Sequence, residues 1–178
     1  VKHKFQFEGH DAFIVEPENP AEGLPWSWCL EWPDAFVERC AAPELLAKGF
    51  HHVHVNIFGT WASPEGMKVL ESFYAMLVKL GFHKKSMLMG LSMGGLYSYR
   101  FAMENPEKVA VIYGDAPVCD LRNYPETSRE KAYAAYGFKS KDDPAISVLN
   151  PLEHLDVLAK AKIPLIHVVG LADEVVIP

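Results

Sequence analysis

Six consecutive residues, Gly90-Leu91-Ser92-Met93-Gly94-Gly95, constrain this chain more than any other stretch. Ser86–Met89 before them reads as a short apolar strand. Met93–Glu104 after them reads as a helix that stops at Asn105-Pro106, because proline disfavours helical geometry in the residue ahead of it. Turning from strand to helix within one residue crowds the backbone, and small residues at Gly90 and Gly94 relieve clashes around a strained Ser92. Such a turn lifts the hydroxyl above a sheet edge and places a helix N-terminus beneath it, where developing negative charge is favoured. A glycine-rich turn without chemistry would need the same small residues, so what marks a nucleophile elbow is the flanking strand and helix.

The remaining hydrophobic patterning alternates between strand-like and helix-like stretches, which implies a layered α/β domain. Phe5–Phe7 and Ala12–Val15, separated by Glu8-Gly9-His10-Asp11, read as an opening antiparallel hairpin. Strands are expected at Pro25–Trp32, His51–Phe58, Lys108–Tyr113 and Pro164–Val169. Helices are expected at Pro43–Lys48 and Pro64–Leu80, each opened by proline and closed by glycine. Met67, Leu70, Glu71, Tyr74 and Leu77 form the mostly apolar stripe of the second. The long polar segment 121–150 predicts a partly helical cap, or lid, inserted between core strands.

At 178 residues the chain fits one domain. A net charge of −6 with no clustered cations argues against nucleic acid as a partner. The longest apolar run, Phe73–Val78, is far short of the roughly 18 residues a membrane span needs. Cys29, Cys40 and Cys119 are too widely spaced for a zinc pattern and odd in number, so they read as small buried side chains.

A serine nucleophile needs a base and an acid to orient it, on this architecture in the order Ser, Asp or Glu, His. Downstream, Pro164–Val169 runs as a buried strand into Gly170-Leu-Ala-Asp173-Glu-Val-Val-Ile-Pro178, where Asp173 can point across the sheet's C-terminal edge. The GLSMGG run resembles the elbow of α/β-hydrolase serine esterases, and G-x-x-D-x-x-V-x-P around Asp173 resembles that superfamily's acid loop. The resemblance covers most of the chain and leaves the substrate open. It implies a three-layer α/β sandwich, its sheet mostly parallel with an antiparallel N-terminal hairpin. It also makes Asp173 the acid, with Asp115 in Gly114-Asp115-Ala116-Pro117 as the rival. The oxyanion donors would be the N–H of Met93 and that of Glu31 or Trp32, although no glycine-rich loop stands at Glu31-Trp32-Pro33-Asp34.

Eight histidines are present, and none follows Asp173. The base is therefore expected beyond Pro178, together with a last strand and helices. The leading expectation is a serine hydrolase cleaving carboxylic esters without metal or organic cofactor. Trp32, Trp61 and Asp120, with Asn56, Arg122 and Tyr124 nearby, would suit a carbohydrate ester. A peptidase resembling the prolyl oligopeptidases, which share the Gly-Gly after the elbow, is the alternative within enzymes. A silent hydrolase-like binding protein is the alternative outside them.

Overall fold

The structure is a computed structural model that describes residues 1–35, 37–124 and 126–176. Strands β1 (Lys2–Phe7) and β2 (His10–Val15) form an antiparallel hairpin. Its turn is Glu8-Gly9, both at positive φ (49° and 84°), a pairing that follows the natural twist of the strands. The chain continues through β3 (Trp26–Leu30), α1 (Ala42–Ala47), β4 (His51–Val55), α2 (Pro64–Lys79), β5 (Ser86–Leu91) and α3 (Met93–Glu104). Then follow β6 (Val109–Asp115), α4 (Glu126–Tyr136), α5 (Ile146–Leu149), α6 (Leu155–Lys160) and β7 (Leu165–Val168).

The seven strands form one sheet in the order β1-β2-β4-β3-β5-β6-β7, with helices on both sides. β2 meets β4 antiparallel, and every later pairing is parallel. From β3 the chain moves outward to β4, whereas from β5 it moves the other way to β6. The order therefore reverses between β3 and β5, and a crevice opens at the carboxyl ends of adjacent strands that wind apart. Glu31 and Ser92 stand at those two ends.

Parallel strands covered on both faces are mostly apolar, and Trp26, Trp28, Val53, Val55 and Leu88 are all buried, while the buried polar residues Ser27, His52 and His54 are hydrogen-bonded. Trp28 packs against Phe73 of α2 and Phe101 of α3, with ring centroids 5.7 and 5.2 Å away. Helix α3 is buried without interruption from Gly94 to Ala102, so the elbow rests on the most enclosed helix of the molecule.

Several element limits differ from expectation. The strand expected through Trp32 ends at Leu30, because Glu31 and Trp32 adopt φ of 68° and 53°, outside strand geometry. The strand expected through Phe58 ends at Val55, where the backbone turns through Ile57–Thr60. On α2 the buried stripe takes Phe73 rather than Glu71, which is exposed. Strand β7, expected to be buried, is exposed at all four residues, since among the described residues only β6 pairs with it. The three cysteines are free and half-buried rather than fully buried. Segment 121–150 is partly helical, and its Ala132, Tyr133, Phe138 and Ile146 join the central core. Pro178 and Ile177 of the acid-loop motif lie outside the described residues.

Candidate active site

Leu91 closes β5, Met93 opens α3, and Ser92 between them sits at φ 52°, ψ −118°. A non-glycine residue held there costs on the order of 1–3 kcal/mol and persists only when its surroundings over-determine it. Three backbone hydrogen bonds do so here. Ser92 N donates to Asp115 O, and Ser92 O accepts from Gly95 N and Val118 N, each at 2.9 Å. The glycines are fixed by contact. A Cβ on Gly94 would lie 1.9 Å from Leu30 O, and one on Gly90 would lie 2.4 Å from Gly94 O. Gly95 is equally closed, by Pro117. Ser92 itself is half-buried, and its Oγ has no hydrogen-bond partner among the described residues.

The contact between Gly94 and Leu30 brings the end of β3 against the first turn of α3. Met93 N–H belongs to the helix's unpaired N-terminal donors. Glu31 and Trp32 follow Leu30 with left-handed backbone, so all three sequence-proposed oxyanion residues border the same crevice. Glu31 also contributes something the sequence reading passed over. It is only 9% exposed, its Oε2 is buried without a hydrogen-bond partner, and burial pushes its carboxyl up to about 7.

The two candidate acids occupy different settings. Asp115 is buried at the end of β6, with Arg39 Nε 2.5 Å from its Oδ2. Asp173 lies five residues past β7, and its Oδ1 accepts from the N–H groups of Val175 and Val176 at 2.9 Å. Those bonds hold its carboxyl below the usual aspartate range. Ala116 N donates to Val168 O, linking the ends of β6 and β7; Asp115 lies beside Ser92, whose N–H its carbonyl accepts, and Asp173 follows in the loop after β7.

All eight histidines lie among the described residues, and each is engaged elsewhere. His3 meets Glu16, His10 the carbonyl of Asn56, His83 that of Lys85, and His154 that of Ser147. On β4, His51 packs on Phe82, His52 bonds Ser27 Oγ at 2.8 Å, and His54 bonds Cys29 O at 2.8 Å. His167 of β7 bonds the Tyr99 hydroxyl.

The three residues expected to bind substrate are not gathered into one platform. Trp32 and Phe58 form an edge-to-face pair, centroids 5.8 Å apart, at a cavity of about 180 Å³ shared with Glu31, His54, Asn56 and Ile57. Trp61 packs on Tyr124, whose hydroxyl donates to Trp61 O at 2.5 Å. Asp120 caps the turn Leu121–Asn123 by accepting from Arg122 N. It lines a separate cleft of about 580 Å³ with Arg129, His167, Val175 and Val176. Among the described residues no group of three or more His, Cys, Asp or Glu is arranged to hold a metal ion. No described helix is long and apolar enough to cross a membrane.

Residues 47–178 match the model of the prolyl oligopeptidase family. No curated protein matches the sequence significantly. Among solved structures, the chain is similar to a puromycin-hydrolyzing peptidase of Mycobacterium tuberculosis, with TM-score 0.77 and 16% identity over 99% of this chain and 32% of that one. It is similar to FphF, a fluorophosphonate-binding serine hydrolase of Staphylococcus aureus, with TM-score 0.61 and 15% identity over 98% and 91% of the two chains. Est1E from Butyrivibrio proteoclasticus matches with TM-score 0.53 and 15% identity over 65% and 51%. The chain thus spans about half the length of Est1E and about a third of the peptidase.

Proposed function

The chain belongs to the prolyl oligopeptidase family and has the α/β-hydrolase fold, and on that premise we propose that it is a serine hydrolase working through an acyl-enzyme at Ser92. The observation that carries the reading is the strained Ser92 backbone, pinned by three hydrogen bonds where the sheet reverses its winding. Strain held so firmly at a crevice is the mark of a pre-organised nucleophile rather than of an ordinary turn.

In the proposed reaction Ser92 Oγ attacks the substrate carbonyl while a base takes its proton. Met93 N–H and the N–H of Glu31 or Trp32 stabilise the tetrahedral oxyanion. The base returns the proton to the leaving group, and water then releases the acyl group from Ser92. Asp173 orients the base. Its carboxylate is kept ionised by two backbone donors, whereas that of Asp115 is occupied by Arg39. The base is proposed to be a histidine outside residues 1–178, a reading supported by the separate engagement of all eight histidines in the chain.

The proposed substrate is a carboxylic ester, with carbohydrate esters as a subclass in which the exposed Trp32 would stack on a sugar ring. The family match favours a second reading, cleavage of a peptide bond. Relative kcat/KM for p-nitrophenyl acetate, acetylated sugars and peptide p-nitroanilides separates these, with the Ser92→Ala protein as blank. Ester turnover at least tenfold above peptide turnover supports the first reading, and the reverse order supports the second. Turnover unchanged by Ser92→Ala overturns both.

A further inference from the structure

Ser92 is gripped on both sides by the chain that leaves β6. Asp115 O accepts from Ser92 N and Val118 N donates to Ser92 O, each at 2.9 Å. Whatever fixes residues 115–118 therefore fixes the strained residue too. One support is β7, where Val168 O accepts from Ala116 N at 2.8 Å. The other is Arg39, in the loop ahead of α1. Tyr113 Oη donates to Arg39 O at 3.3 Å, and Arg39 Nε lies 2.5 Å from Asp115 Oδ2. Residues two apart on a strand share a face, so Arg39 engages Tyr113 and Asp115 together from one side of the sheet.

The surroundings of Asp115 give that contact its weight. Its side chain is 4% exposed, whereas that of Arg39 is 48% exposed. Among the described residues Arg39 supplies the only ion pair Asp115 makes. Leu91 and Val168, its neighbours across β5 and β7, carry no charge. Burial first, and the Asp115 charge second, raise Cys40 and Tyr113, so both are neutral at pH 7. A buried carboxylate deprived of its cation must take up a proton or move toward water. Movement would carry with it the backbone whose carbonyl holds Ser92 N–H.

We propose that Arg39 is a positioning residue for the nucleophile: by neutralising Asp115 it fixes the end of β6 and keeps Ser92 in its strained conformation. Arg39 acts through Asp115 and not on the reacting atoms. That the elbow so held is catalytic rests on the serine-hydrolase reading above; the clamp itself does not. The role depends on charge, which separates it from packing. A cation is needed only while Asp115 is ionised, so acid or an uncharged residue at position 115 makes Arg39 dispensable.

The test follows kcat/KM for p-nitrophenyl acetate in the protein carrying this chain. Arg39→Gln should lower it about tenfold at pH 8, and Arg39→Lys should restore most of the loss. The ratio of Arg39→Gln to wild type should climb toward one as pH falls from 8 to 5. On the Asp115→Asn background the same substitution should change kcat/KM less than twofold. Hydrogen exchange read by mass spectrometry should speed up in the elbow peptide of Arg39→Gln and stay unchanged in Trp26–Leu30, which reports the intact core. A ratio that ignores pH, an equal loss on the two backgrounds, or unaltered elbow exchange overturns the proposal. So does a loss of about 10⁴-fold in Asp115→Asn alone, which would make Asp115 the acid of the triad. Faster elbow exchange in Arg39→Gln, in a protein whose turnover survives Ser92→Ala, overturns the hydrolase reading and leaves the clamp standing.

Discussion

Replacing Glu31 by glutamine should change how stability depends on pH, and the size of the change follows from one buried carboxyl. In the folded protein burial holds that group at about 7, against an ordinary value of 4.5. Below 4.5 the acid is protonated in both folded and unfolded chains and contributes nothing to the pH dependence. As pH rises from 4.5 the unfolded chain releases its proton while the folded one retains it until about 7, so stability falls across that window. The difference of about 2.5 units, at about 1.4 kcal/mol per unit, amounts to about 3 kcal/mol lost by pH 8. Glu31→Gln removes this slope. A buried amide has hydrogen-bonding costs of its own, but those are the same at every pH. Urea unfolding of the wild type and the variant at pH 4 and pH 8 isolates the quantity. The variant should gain about 3 kcal/mol relative to the wild type on going from pH 4 to pH 8. An equal difference at the two pH values would refute the claim that Glu31 is a dry, uncompensated acid.

Gly94→Ala drives a Cβ to within 1.9 Å of Leu30 O. It should cost more than about 3 kcal/mol in urea unfolding, because backbone rather than a flexible side chain blocks it. Arg100 is fully buried, ion-paired to Glu104 at 2.6 Å and bonded to the carbonyls of Ala62 and Leu149. Arg100→Leu should cost about 3–5 kcal/mol by leaving Glu104 and the Leu149 carbonyl without their Arg100 partner, while Ala62 O keeps the Tyr136 hydroxyl, measured in the same way. If segment 121–150 acts as the proposed lid, shortening its exposed stretch 139–142 should shift relative kcat/KM between small and bulky esters. Labelling of Ser92 by a small fluorophosphonate should stay within about twofold, and an unaltered preference would count against a lid.

The elbow was legible in the sequence because its demands are steric and local. Gly90 and Gly94 are required by contacts under 3 Å, which any residue with a Cβ violates. A layered α/β architecture was legible too, since strand-like and helix-like stretches alternate along the chain, and the mostly parallel sheet followed from the resemblance. What escaped were properties set by neighbours distant in sequence. Arg39 reaches Asp115 across 76 positions, and no local pattern announces that pair. Glu31 was read as a backbone donor, although an acid placed directly after a strand rich in buried aromatic residues was the signal that its side chain would be buried. The aromatic residues were misgrouped because tryptophans are as suited to packing as to stacking. Only the fold separates Trp61, held by Tyr124, from Trp32 beside Phe58.

The central claim is that Ser92 is the nucleophile of a serine hydrolase, and covalent labelling addresses it most directly. The protein carrying this chain is treated with a fluorophosphonate, digested with trypsin, and sequenced by tandem mass spectrometry across the Ser86–Arg100 peptide. That peptide also holds Ser86 and Ser98, which serve as internal controls. The account predicts the phosphonyl adduct on Ser92 alone and no labelling of this peptide in the Ser92→Ala protein. An adduct on Ser86 or Ser98 instead, or an unlabelled Ser92 in a protein that hydrolyses acyl substrates, would contradict it.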